Sequence, residues 1–232
     1  MATARVLVTG FNDWRDLGTP ANVWRCRDNP SGRLLVGEAC DAACDDREGH
    51  AGPLVRRLRD AEPAIEWQFR TMPVCWGVFA SVPGDVDLIV NLGLGVYDRD
   101  DVLQLEAGAI NRRGGCDAAG ATSGACIDEQ ADEVLPASCV PAVGASIEAL
   151  RGRTFAGYTV TVTPARAENC YLCNETHYHA LSAIRRGHGR LREAYFLHLP
   201  YAPGGDHEKL AAGVSGLIVE LARRLRSEAA EA

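Results

Sequence analysis

Apolar residues in this chain form short runs separated by polar, glycine-rich segments, a pattern typical of strands in an α/β sheet. The runs at 4–11 and 87–93 are continuous in apolar residues, which predicts two strands buried on both faces. Residues 65–72 alternate between apolar and polar side chains and predict a strand near a sheet edge. Further strands are predicted at 158–163, which is rich in β-branched residues, and at 194–200.

Helices are predicted where apolar residues recur every three or four positions. This spacing occurs at 52–61, 173–187 and 208–226, and shorter helices are expected after Asn29-Pro30-Ser31 and over 145–151. The mixture of buried strands and amphipathic helices predicts an α/β fold with a largely parallel sheet. Ligands bind such sheets at the carboxyl ends of the strands, so the loop at 96–101 is expected to border a site.

Two segments carry no clear periodicity. Residues 12–28 predict a loop that contains Trp14 and Trp24, and these side chains either pack as a small satellite core or line a pocket. Residues 114–145 are rich in small and acidic residues and predict an extended surface excursion or a lid.

Composition narrows the class of protein. The 232 residues carry a net charge of −7, which argues against a nucleic-acid surface, and we expect one domain spanning residues 1–232. No apolar stretch is long enough for a signal peptide or a membrane span, so a cytoplasmic protein is predicted. The nine cysteines are an odd number and are expected to be mostly free thiols in a reducing compartment.

Three residues stand out as candidates for nucleophilic catalysis. Cys173 lies near the start of a predicted helix, where the helix dipole favours a thiolate and free N–H groups face a developing oxyanion. His198 lies within a predicted strand, and Glu106 is flanked by apolar residues. From the pattern alone, Cys173 could be a structural thiol and His198 a hydrogen-bonded core histidine, while Glu106 could either reach solvent or meet a partner.

The spacing Cys170-x-x-Cys173 raises redox and zinc alternatives. A zinc site would recruit His177 and His179, but residues two apart on a helix point to nearly opposite sides. A thioredoxin-like pair also follows a strand and opens a helix, although thioredoxin-like chains are much shorter.

Four segments together resemble the pyroglutamyl peptidase I (pyrrolidone carboxyl peptidase) family in order and spacing. Tyr171-Leu172-Cys173-Asn174 resembles the motif that carries the family's nucleophile. The other three segments resemble its first strand and loop, its acidic motif and its histidine strand: Val8-Thr9-Gly10-Phe11, Leu105-Glu106 with Ala109-Ile110-Asn111, and Phe196-Leu197-His198-Leu199-Pro200.

The resemblance implies a three-layer α/β/α sandwich around a twisted, mostly parallel sheet. It implies that Cys173 is the nucleophile, His198 the base and Glu106 the carboxylate that orients the base. The substrate class that it implies is a small peptide with an N-terminal pyroglutamyl residue, cleaved in the cytosol without a metal or other cofactor. A homo-oligomer is an open alternative.

The resemblance also places substrate contacts at Phe11, Trp14 and Asn29, but the loop between them differs from the family pattern. The Ala-Gly-x run that normally precedes the nucleophile is replaced by Glu168-Asn169-Cys170. These differences leave two alternatives. One is a non-catalytic protein on the same scaffold, including one that binds metal through Cys170, Cys173 and His177, and the other is a cysteine amidase of altered specificity.

Overall fold

The computed structural model describes residues 3–11, 14–15, 23–24, 29–37, 51–201 and 205–231. For 14–15, 23–24 and 228–231 it describes the backbone alone. Within these residues, no helix is both long enough and apolar enough to cross a membrane.

Thirteen strands and five α-helices make up the described chain. The strands are β1 (Arg5–Phe11), β2 (Trp14–Arg15), β3 (Val23–Trp24), β4 (Glu66–Met72), β5 (Leu88–Val96), β6 (Val102–Glu106), β7 (Gly108–Ile110), β8 (Gly115–Cys116), β9 (Thr122–Ser123), β10 (Val134–Pro136), β11 (Thr154–Phe155), β12 (Tyr158–Thr163) and β13 (Glu193–Pro200). The helices are α1 (Pro30–Val36), α2 (Pro53–Ala61), α3 (Pro141–Leu150), α4 (Leu172–Arg185) and α5 (His207–Glu231).

Seven strands form the main sheet in the order β11-β12-β6-β13-β5-β1-β4. The strands β13, β5, β1 and β4 are parallel to one another. Strand β6 runs antiparallel to β13, and β12 pairs in parallel with β6. The alternating strand β4 lies at the sheet edge, as its pattern predicted.

Helices cover both faces of this sheet. Alternate residues along each inner strand point to opposite faces, so Val6 and Val8 of β1 join one core cluster while Leu7 joins another. The first cluster includes the apolar residues of α1, α2 and α5, and the second includes Leu172 and Ala180 of α4. The three-layer α/β/α arrangement is therefore confirmed.

The prediction for residues 114–145 was partly wrong, because this segment contains regular structure. Strand β10 pairs with β7, strands β8 and β9 form a small ribbon, and α3 begins four residues earlier than predicted, at Pro141. Proline is well suited to the first turn of a helix. The start of the helix was predicted too late because Ala142 and Gly144 interrupt the apolar spacing.

Candidate active site

The fold brings Cys173, His198 and Glu106 to one region. Strand β13 lies between β5 and β6, and its residue His198 is the register partner of Gly93 on β5 and Gln104 on β6. Glu106 is the last residue of β6, and Cys173 is the second residue of α4. Phe196, two residues before His198, packs in the core cluster that contains α4 and Cys173. The nucleophile helix and the histidine therefore share one face of the sheet.

Glu106 and His198 form a buried pair. His198 Nδ1 lies 3.2 Å from Glu106 Oε1, and the two residues are 6% and 3% exposed, respectively. Asn169 Nδ2 donates a hydrogen bond to the same oxygen at 3.1 Å. His198 Nε2 and Glu106 Oε2 are buried and have no hydrogen-bond partner among the described residues. A buried, unpaired ring nitrogen is costly, and here it is the atom that could exchange a proton with the thiol.

Two glycines of β5 provide the space for the nucleophile and the histidine. A methyl group at Gly93 would lie 3.0 Å from Cys173 Sγ and 2.8 Å from the Phe196 ring. A methyl group at Gly95 would overlap the His198 ring. The sequence pattern predicted a strand over 87–93, but β5 continues through Gly95 to Val96. Their role is to let two side chains approach the backbone closely.

Burial determines the protonation of the thiol and the imidazole. Desolvation raises the pKa of Cys173 to about 12, and the Glu106 carboxylate adds to this rise. The direction of this shift is opposite to the one expected from the position of Cys173 at a helix start, because desolvation is its largest cause. Desolvation also lowers the pKa of His198 to about 4, with a further contribution from Arg166. At neutral pH the resting site therefore contains a neutral thiol and a neutral imidazole.

Glu106 carries a raised pKa for the same reason. Desolvation raises it to about 8, although the positive charge of Arg166 acts in the opposite direction. The protonation state matters because it sets the tautomer of His198. An ionised Glu106 accepts from Nδ1–H and leaves Nε2 free to accept a proton, whereas a protonated Glu106 would donate to Nδ1 and place the proton on Nε2.

Asn174 joins the nucleophile helix to the chain that follows Glu106. Its Oδ1 accepts from Ile110 N at 2.8 Å, and its Nδ2 donates to the carbonyl oxygens of Ile110 and Arg112 at 2.9 Å each. Sequence analysis gave no role to Asn174 or to the Asn169 side chain. The available signal was an amide side chain in the first helical turn, where Asn is otherwise unfavourable.

The first turn of α4 also offers backbone donors. No side chain caps the helix at Tyr171, the residue before its first turn. Helix-start N–H groups that lack a partner within the helix suit a negatively charged oxygen.

The three residues that the resemblance assigns to substrate contact lie in different surroundings. Phe11 ends β1 and is 4% exposed in the core cluster that also contains Leu172. Asn29 caps α1, where its Oδ1 accepts from Ser31 N at 3.1 Å and Ser31 Oγ at 2.8 Å. The side chain of Trp14 lies outside the described residues. Substrate contact by these three residues stays a prediction.

Metal binding finds no support in the described part of the chain. There, no group of three or more His, Cys, Asp or Glu side chains could hold an ion. The ring of His177 packs 6.1 Å from that of Phe196, and His179 Nε2 faces Glu175 at 3.6 Å. The alternative site built from Cys170, Cys173 and His177 is therefore not assembled.

Comparison with solved structures identifies the fold class as that of the pyrrolidone carboxyl peptidases. The chain is similar to pyrrolidone carboxyl peptidase from the hyperthermophile Pyrococcus furiosus, with a TM-score of 0.61 and 19% sequence identity over 95% of this chain and 99% of that chain. It is also similar to pyroglutamyl peptidase I from Bacillus amyloliquefaciens, with a TM-score of 0.59 and 20% identity over 92% and 95% of the two chains. No protein-family model and no curated protein sequence matches the chain. At these identities the similarity establishes the shared fold.

Proposed function

We propose that this protein is a cysteine exopeptidase that removes an N-terminal pyroglutamyl residue from peptides. The observation that carries the proposal is the buried contact of 3.2 Å between Glu106 Oε1 and His198 Nδ1, on the sheet face against which the Cys173 helix packs. The shared fold with pyrrolidone carboxyl peptidases and the four sequence motifs support the substrate class.

In the first half of the reaction, His198 Nε2 takes the proton of the Cys173 thiol as Sγ attacks the carbonyl carbon that follows the lactam ring. Backbone N–H groups at the start of α4 stabilise the oxyanion. Glu106 holds the Nδ1–H tautomer and stabilises the imidazolium. The imidazolium then donates its proton to the leaving amine as the C–N bond breaks, which leaves a thioester on Cys173.

In the second half, water attacks the thioester carbonyl while His198 accepts its proton. The C–S bond then breaks, pyroglutamate leaves, and the proton returns from His198 to Cys173. Because burial keeps the resting thiol and imidazole neutral, we expect proton transfer to accompany attack rather than precede it.

A fluorogenic pyroglutamyl-aminomethylcoumarin substrate tests the proposal. We expect the wild-type protein to release the coumarin and Cys173→Ala to lose turnover by roughly 10³-fold or more. Cys126→Ala, which removes an exposed thiol, is the matched control and should retain activity.

Failure of the purified, folded wild type to cleave this substrate would overturn the proposal. Cleavage of other N-acyl amides without pyroglutamyl cleavage, still dependent on Cys173, would instead identify a cysteine amidase of altered specificity. Undiminished turnover in Cys173→Ala would exclude this thiol as the nucleophile.

A further inference from the structure

An exposed aromatic side chain, Tyr97, stands at the outer edge of the site. It is the first residue after β5 and belongs to the loop at 96–101, which the sequence predicted to border a site. The residue is 67% exposed. A bidentate contact between Arg99 and Asp101, at 2.8 and 2.9 Å, closes the loop before β6 begins at Val102. The loop that displays Tyr97 is therefore short and internally held.

A second aromatic ring lies beside Tyr97. Tyr201 is the first residue after β13, and the centroids of the two rings are 6.2 Å apart. Tyr201 N donates to the carbonyl oxygen of Val96 at 2.7 Å, so the neighbouring strands β5 and β13 end side by side. These are the strands that carry Gly95 and His198. We call Tyr97 and Tyr201 the aromatic rim of the site.

The order of groups along β5 runs from the interior towards solvent. Gly93 is buried and faces Cys173 Sγ. Gly95 is half-buried and faces the His198 ring. Tyr97 is exposed, and its backbone lies at most about 7 Å beyond Gly95, because two residues of extended chain span no more than that. The strand therefore passes the nucleophile, then the base, and then the aromatic rim.

An exopeptidase of the proposed kind encloses one terminal residue and leaves the rest of the peptide, whatever its length, in solvent. The attacked carbonyl must lie at Cys173 Sγ, over the buried part of β5. The chain that follows the scissile bond runs from there to solvent, and the aromatic rim lies at the solvent end of the same strand. The residue directly after the scissile bond is thus the part of the substrate that comes nearest to the rim.

The titration of the Tyr97 phenol agrees with this position. Desolvation is the largest cause that raises its pKa, and Cys173 and Tyr201 add to the rise. The phenol therefore stays neutral at the pH at which the enzyme would work, and the ring can contact an apolar group without the cost of a nearby charge.

We propose, building on the function proposed above, that the aromatic rim contacts the side chain of the residue that directly follows the scissile bond and favours an aromatic side chain there. Tyr97 is thus a specificity-determining residue for the leaving group. The lactam ring is recognised elsewhere.

Three substrates test this role: pyroglutamyl-phenylalanine amide, pyroglutamyl-alanine amide, and pyroglutamyl amide, which has no residue after the scissile bond. We expect kcat/KM of the wild type to favour the phenylalanine peptide over the alanine peptide by roughly tenfold, the scale of one aromatic pair. Tyr97→Ala should remove most of this preference, and Tyr97→Phe should keep it because the ring is retained. Tyr97→Ala should leave kcat/KM for pyroglutamyl amide unchanged.

Val134→Ala is the matched control, because Val134 is the other exposed large apolar side chain in the described part of the chain and lies on β10, outside the main sheet. It should leave the preference unchanged. An equal preference in the wild type and Tyr97→Ala would overturn the inference, as would its loss in Val134→Ala. A loss on pyroglutamyl amide as large as on the phenylalanine peptide would also overturn it, because Tyr97 would then act on the acyl group.

Binding measured without turnover keeps this inference separate from the proposed function. In a Cys173→Ala background, calorimetric titration should give a roughly tenfold tighter Kd for the phenylalanine peptide than for the alanine peptide, and adding Tyr97→Ala should remove most of the difference. Absence of turnover of every substrate by the wild type would refute the exopeptidase function, while this Kd ratio would still decide the role of Tyr97. Equal binding of the two peptides, or binding of neither, would refute that role.

Discussion

At the scale of single residues, the site depends on polar side chains that lie where apolar ones would be expected. Glu106 is surrounded by apolar residues in the sequence, and the structure resolves its two alternatives by giving it two partners, the buried His198 and the half-buried Asn169. Both partners approach the same oxygen, which leaves Oε2 without a hydrogen bond among the described residues. The Asn169 bond therefore contributes to keeping a poorly solvated carboxylate ionised.

Asn169→Ala is expected to raise the pKa of Glu106 further, because the carboxylate loses a donor that stabilises its charged form. Activity requires the ionised carboxylate, so the acidic limb of the kcat/KM profile, which we expect near pH 8 in the wild type, should move up by about one pH unit. Near pH 7 the variant should be about tenfold less active, and the loss should shrink as the pH rises.

The pH profile on the coumarin substrate measures this shift, and Asn169→Ser, which retains a donor, should recover part of it. An equal loss of activity at every pH would contradict a role in tuning Glu106 and would indicate a purely structural effect.

At the scale of secondary-structure elements, the site is formed where α4 and β13 meet the glycines of β5. Asn174 connects the start of α4 to the segment after β6, so one helix carries both the nucleophile and an anchor to the neighbourhood of Glu106. Strand β5 contributes open space in place of side chains, since Gly93 faces Cys173 Sγ and Gly95 faces the His198 ring.

Gly95→Ala should displace the His198 ring, because the added methyl group would overlap it. We expect kcat to fall by roughly 10²-fold or more, as for other small misplacements of a catalytic group. Steady-state kinetics measure the loss, and thermal unfolding reports the accompanying overpacking cost, of the order of 1–3 kcal/mol.

Gly124→Ala is the control, since a methyl group there would meet no atom within 4 Å. It should keep wild-type kinetics and stability. Full activity in a folded Gly95→Ala protein would show that the His198 ring does not need its position against β5.

At the scale of the whole molecule, the catalytic groups lie in a core that disfavours their charged forms. Burial raises the pKa of Cys173 and Glu106 and lowers that of His198. Each shift means that forming the charged group costs more free energy in the folded state than in the unfolded state. Function and stability therefore conflict at this site.

Glu106→Gln should increase the stability of the protein, and its advantage over the wild type should grow as pH rises. The pKa of Glu106 is 4.5 in its ordinary state and about 8 in the fold, so the folded state holds the proton more tightly. Its contribution to stability is fully present below pH 4.5 and is lost as pH rises through 8. The Tm difference in favour of Glu106→Gln should therefore grow between pH 5 and pH 8.5. Each kcal/mol by which the unfolding free energy of the variant exceeds that of the wild type corresponds to roughly 2–4 °C in Tm.

The same variant should lose activity by about 10³–10⁴-fold, because the amide donates to Nδ1 of His198 and fixes the wrong tautomer. Thermal scans at several pH values, combined with kinetics, separate the two effects. A Tm difference that does not change with pH would contradict the raised pKa of Glu106.

Much of the architecture follows from local patterns in the sequence. Continuous apolar runs predicted the buried strands, alternation predicted the edge strand β4, and apolar spacing predicted α2, α4 and α5. These predictions succeeded because side-chain periodicity records which faces of an element are buried. The start of helix α3 was predicted too late because its small residues give no clear apolar spacing.

The sequence by itself identified the candidate thiol, imidazole and carboxylate. The thiol lies at a predicted helix start, and the imidazole and the carboxylate lie among apolar residues, where such polar groups are uncommon. Only the tertiary structure decided that β6 runs antiparallel beside β13 and that Asn169 and Asn174 hold the elements of the site together. It also decided the direction of the Cys173 pKa shift. Hydrogen bonding and desolvation depend on what packs around a group, and those neighbours come from distant parts of the chain.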